Sequence, residues 1–142
     1  MRLIIILHIL SATIWTGGHL VLTMAFLPAA WKKNDFSVIE SFESRYEKIG
    51  IPSLLILIAT GIYMTTIYSP DILSFDFSRH YTKHLLLKYL LIIFTLMLAI
   101  HARFFLIPKR SIKPLALHIL MITILSVLFV ILGYSTRSGG IL

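Results

Sequence analysis

Residues 115–134, LALHILMITILSVLFVILGY, decide the fold: from Leu115 to Tyr134 there is no Asp, Glu, Lys or Arg, and the one histidine is His118. An α-helix rises 1.5 Å per residue, so the run covers roughly 30 Å, the hydrocarbon thickness of a bilayer. Three more such runs precede it: Leu3 to Leu27, carried as a span to about residue 30; Ile49 to Tyr68; and His84 to Pro108. They are separated by a polar connection, Trp31 to Lys48, a mixed one, Ser69 to Lys83, and a short basic turn, Lys109 to Lys113. This pattern predicts an all-α integral membrane protein, an up-down four-helix bundle in which residues 1–142 form one domain.

Composition agrees. Of 142 residues, 58% are hydrophobic and only 13% charged, with a mean hydropathy of +0.91. A soluble domain carries about twice that charge, so soluble, disordered and coiled-coil classes are excluded. Leu27-Pro28-Ala29-Ala30 looks like a secretory cleavage site, but the apolar run before it is too long and Arg2 is its only early cation, so it reads as a span. There are no cysteines, which excludes disulfides, iron–sulfur clusters and thiolate nucleophiles; metal chemistry would fall to six histidines, five methionines and the carboxylates. No P-loop, HExxH or dinucleotide fingerprint is present.

The net charge of +7 is read as marking membrane edges, with lipid rather than nucleic acid as the partner. One end of the bundle would hold Lys32, Lys33, Arg45, Lys48, Arg103, Lys109, Arg110 and Lys113, and the other Arg2, Arg79, Lys83, Lys88 and Arg137, eight against five. Cytoplasmic loops retain Lys and Arg, so both termini are expected outside.

Histidine inside a span is costly and faces the bundle interior, which makes it a functional candidate. Helical rise places His8 and His84 in an outer layer, roughly 10 and 16 Å from the midplane, with His80 just beyond in the connection. His19, His101 and His118 fall in an inner layer roughly 6 to 9 Å from it. His8 and His19 are about three helical turns apart and share one face. Two imidazoles at two depths suit two stacked b-type haems with bis-histidine ligation, moving electrons across the membrane between a quinone or a periplasmic redox protein and the other side. His84 would complete the outer pair and His118 the inner, with His101 in reserve because it is about 100° out of phase with His84 on the third span. Gly17 and Gly18 would admit the porphyrin face, and Arg45, Arg103, Arg79 and Lys83 would meet propionates.

The same residues have plainer uses: hydrogen bonds between helices, a Gly17-Gly18 packing notch, headgroup-anchoring cations and a snorkelling Lys88. They also have a rival metal. Thioether and imidazole together suit Cu(I), and Met97 with His101 and Met121 with His118 each share a helix face in the inner layer.

Three segments carry a resemblance: Ile14-Trp15-Thr16-Gly17-Gly18, then Arg45-Tyr46 running to Thr60-Gly61-Ile62-Tyr63, then Leu85-Leu86-Leu87-Lys88. In their order and spacing the chain resembles the copper-resistance D family of four-helix membrane domains, which implies copper uptake or resistance. Through His8, Trp15 and Lys88 it is also similar to the four-helix, haem-binding protoporphyrinogen oxidase family, which implies a b-type haem on His8 and leaves open an oxidase in which Lys88 and Arg45 hold substrate carboxylates. These resemblances imply a bacterial inner-membrane location; a homodimer is left open.

Overall fold

The computed structural model describes residues 1–74 and 80–138. Four long helices, each long and apolar enough to cross a membrane, account for nearly all of it, and there is no strand among the described residues. Helix α1 runs from Arg2 to Lys33, α2 from Ser37 to Tyr68, α3 from His80 to His101 with a further turn through Leu106, and α4 from Ile112 to Ser138. Helix α1 packs along α2 and α4, and α3 along α4, whereas α2 and α3 scarcely touch. Arg2 and Ser138 lie at one end of the bundle, the terminal end; the α1–α2 and α3–α4 turns lie at the other, the loop end.

The connections are shorter than sequence patterning implies. The polar stretch Trp31 to Lys48 is almost wholly helical, with a break only at residues 34–36. Glu, Lys and Arg are good helix formers, so charge there marks helix protruding past the apolar layer rather than loop. The break is made by Asn34, which ends α1 in the left-handed conformation (φ 49°), a position that favours Gly or Asn. Asp35 Oδ1 then accepts the Ser37 N–H at 2.9 Å, and the Ser37 hydroxyl, together with that N–H, holds its carboxyl below the usual carboxylate range. At the other loop-end turn Arg110 takes the left-handed role (φ 51°). Helix α3 likewise begins at His80, earlier than the expected residue 84. Arg79, expected at the outer edge, lies outside the described residues.

Two prolines shape the loop-end half. Without an N–H, Pro28 leaves the Met24 carbonyl without its helical donor and crowds it, and Pro108 does the same to Phe104. The turn before each proline widens instead: Leu22–Phe26 and Ala102–Leu106 are π-helical. The Ile107 N–H reaches back five residues to the Ala102 carbonyl at 2.9 Å. Such π-turns concentrate at functional sites, and these two lie close beyond His19 and His101.

Packing differs between the two ends. Leu22, Leu27, Ala30, Ile39, Leu106, Leu115 and Ile119 form one buried apolar cluster at the loop end. Toward the terminal end the buried positions are largely polar, among them Thr65, Thr82, His84, Thr95 and Ser135. Lipid offers these groups no water, so they bond within the protein. Thr65 and Thr95 donate to carbonyls four residues earlier on their own helices, at 3.0 and 2.8 Å, and Tyr89 donates to Thr65 Oγ1 at 2.8 Å across the α2–α3 gap. Between α1 and α4, Thr23 and Thr123 pair hydroxyls at 2.6 Å. In the absence of a hydrophobic drive between spans, such bonds contribute roughly 0.6 kcal/mol each, on the order of a surface hydrogen bond.

Candidate metal centre

A helical histidine whose ring folds back over the preceding turn brings Nδ1 near the carbonyl of residue i−4. Two histidines do this. His19 Nδ1 lies 2.9 Å from the Trp15 carbonyl, and His118 Nδ1 lies 3.0 Å from the Pro114 carbonyl. A carbonyl only accepts, so in each ring Nδ1 carries the hydrogen and Nε2 keeps a bare lone pair. This is the outer bond that metal-ligating histidines make: it fixes the tautomer, aims the ring and raises its basicity.

Both rings line one space. His19, only 7% exposed, and His118 both line a cleft of about 160 Å³ formed where all four helices converge at the loop-end half, together with Tyr46, Glu43, Glu47 and Arg103. His19 is held between Trp15, with ring centroids 4.4 Å apart, and Tyr46, edge-on at 5.7 Å. His118 Nε2 in turn accepts the Nδ1–H of His101 at 2.8 Å. That assignment leaves His101 with a bare Nε2 as well; its ring is exposed and stacks on Phe105 at 5.4 Å. All three inner-layer histidines are thus linked, with His101 bonded directly to His118 rather than competing with it.

His101 and His84 meet the same neighbouring helix at two levels. His84 Nε2 lies 2.9 Å from Ser135 Oγ, so both reach α4. A helix buries a stripe about 100° wide or more, which is enough to admit side chains that far out of phase.

The outer layer is arranged differently. His8 and His19 both face α2, as their spacing requires, but His8 meets Thr60 Oγ1 through Nδ1 at 2.7 Å. That hydroxyl donates to the Ile56 carbonyl at 2.6 Å, so it accepts from His8. His8 and His84 are therefore engaged on different helices, α2 and α4. Lys88 turns its amine to Thr136 Oγ1 at 3.1 Å, half-buried between α3 and α4, instead of lying along a lipid-facing surface. His80 opens α3; its side chain lies outside what is described.

Other expected groups are placed elsewhere. The Gly18 surface is covered by Tyr46, whose ring occupies the space a Gly18 Cβ would take, so in this structure the glycine serves helix packing. Arg103 is tied to Glu47 at 2.7 Å, while Arg45 and Lys83 are exposed. Met97 is 61% exposed, and neither it nor Met121 lines the cleft. Arg45 sits roughly 30 Å along α2 from Thr65, the residue that meets the α3 neighbour of Lys88, so Arg45 and Lys88 do not converge on one substrate.

Among the described residues no group of three His, Asp or Glu side chains is drawn together around a metal position. The cleft offers an imidazole pair with one further imidazole bonded behind it. The cleft is small, about 160 Å³, against about 300–1,000 Å³ for pockets that hold drug-sized ligands. The acidic residues of α2 were missed by the sequence reading, because the stretch that holds them looked like loop. Their signal was the spacing of Glu40, Glu43 and Glu47, which places all three on one helical face.

A model of the copper resistance protein D family matches residues 40–136. The match spans α2 to α4 and starts beyond His8 and Trp15, so it bears on the first of the two resemblances and leaves the second unaddressed. No curated protein and no solved structure matches the chain.

Proposed function

Since the chain belongs to the copper resistance protein D family, we propose that it is a copper-handling membrane protein that binds Cu(I) inside the bundle, on Nε2 of His19 and of His118, with His101 as the imidazole that supports or replaces one of them. Copper is cargo here, held between entry and delivery. One observation carries the reading: two histidines from adjacent helices, each with Nδ1–H fixed by its own i−4 carbonyl, line one cleft, with His101 bonded to Nε2 of His118. Neutral imidazole is a good copper ligand, and Cu(I), a closed-shell ion, accepts two- and three-coordinate sites that a divalent ion refuses. The small volume suits an ion, which favours copper over the di-haem cytochrome and the haem-dependent oxidase.

The test is Cu(I) competition. Protein purified in detergent is equilibrated against a graded Cu(I) chelator, for the native chain and for His19→Ala, His118→Ala and His8→Ala. Loss of either inner histidine should weaken retention by about 10–100-fold, the usual cost of disturbing a metal-binding shell, with His8→Ala close to native. Native protein that retains no Cu(I), or a His8→Ala chain that fails as badly as His19→Ala, defeats the proposal.

A further inference from the structure

We propose that the seam between α2 and α3 is the cation port connecting the loop-end surface to the His19/His118 cleft, and that Glu43 is its relay carboxylate. The inference rests on the copper reading for the identity of the cation but not for the existence of the port. Two adjoining cavities make the passage. The outer, about 220 Å³, is lined by Glu40 and Ser44 near the surface; the inner, about 160 Å³, ends on His19 and His118; both share Glu43, Arg103 and Ile107.

The seam is the weak side of the bundle, since α2 and α3 scarcely pack against each other. What spans it at this end is electrostatic: Arg103 to Glu47 at 2.7 Å, next to Arg110 on Glu40 at 2.9 Å. Exposed pairs of this kind hold weakly, so they part without disturbing the apolar cluster. Glu43 stands between them on the same face and has no hydrogen bond or ion pair among the described residues, although it lines both cavities. At the inner end the second, independent feature is His19, 7% exposed, which lines the cleft with its Nδ1 taken by the Trp15 carbonyl. A cation moving inward therefore meets carboxylate first and imidazole last. Carboxylate is a hard ligand that holds Cu(I) loosely and imidazole a better one, the order a relay needs.

The chain has no cysteine, so single cysteines report access directly. Ile51→Cys, which lines the inner cavity and is 48% exposed, and Leu55→Cys, one turn on, 60% exposed and lining neither cavity, are placed in nanodiscs and treated with cationic and anionic water-soluble thiol reagents. Ile51→Cys should react and favour the cationic reagent by about tenfold, the scale of electrostatic focusing in a charged cleft. Adding Glu43→Gln should erase that preference, and Leu55→Cys should stay inert. Ile122→Cys, reaching the same cavity from α4, repeats the test if Ile51→Cys does not fold. In parallel, release of bound Cu(I) to a hydrophilic chelator should slow about tenfold in Glu43→Gln. Inner cysteines that are unreactive, or indifferent to reagent charge, overturn the port even where copper is bound. A chain that holds no copper but shows the charge preference overturns the copper reading and leaves the port standing for another cation.

Discussion

His19 and Tyr46 share one acceptor: the Trp15 carbonyl takes the His19 Nδ1–H at 2.9 Å and the Tyr46 hydroxyl at 3.0 Å. Through that oxygen, α2 is coupled to the orientation of an α1 imidazole. The Tyr46 ring can reach it because Gly18 has no side chain, and Phe42 stacks against the far face of Tyr46 at 5.3 Å.

Gly18→Ala should therefore act on His19 from the neighbouring position. The added methyl would overlap the Tyr46 ring and force it off Trp15. Overpacking of this kind costs about 1–3 kcal/mol. Thermal unfolding in detergent should show a lowered midpoint, with Cu(I) retention weakened in the same variant; an unchanged midpoint would mean that Tyr46 moves without loss.

Tyr46→Phe isolates the hydroxyl. It keeps the ring against Gly18 and His19 and removes the bond to Trp15, which is expected to cost about 0.5–1.5 kcal/mol. Its effect on copper retention should fall between those of the native chain and Gly18→Ala. A chelator titration ranks the three.

How much of this was legible in the residues depends on the kind of signal. Leu115–Tyr134 and the three runs before it predicted four spans because length and apolarity are local properties, and the structure has four helices fit to cross a membrane among the described residues. The inner layer of His19, His101 and His118 followed from helical rise, also local. The wiring of that layer did not. Which imidazole bonds which depends on how α3 settles on α4, where His84 meets Ser135 and His101 meets His118. Gly18 was legible as a site of close approach but not as to what approaches; Tyr46 came from a helical turn that charge had disguised as loop. Pro28 and Pro108 announced helix disruption, and the widened turns that answer it are a tertiary response.

Arg103→Gln should leave stability nearly intact. Its partner Glu47 is 31% exposed and Arg103 54%, and ion pairs so open to solvent contribute about 0–1 kcal/mol. Exchange of Cu(I) should nevertheless quicken, because the link across the α2–α3 seam is gone. A large fall in unfolding midpoint would show that the pair is structural.

Orientation is tested separately. The loop end carries Lys32, Lys33, Lys109, Arg110 and Lys113, so retention of basic residues predicts that end in the cytoplasm and both termini across the membrane. Reporters active on one side only, fused after Leu142 and inserted at Asn34, should give opposite signals, with the fusion at the terminus active outside.

The most direct measurement is copper K-edge X-ray absorption on the reduced, copper-loaded native protein. The account predicts a Cu(I) edge with nitrogen neighbours at about 2 Å, imidazole outer-shell scattering and no sulfur. Sulfur neighbours would move the site to Met97 or Met121, and nitrogen scattering unchanged in His19→Ala would contradict the assignment outright.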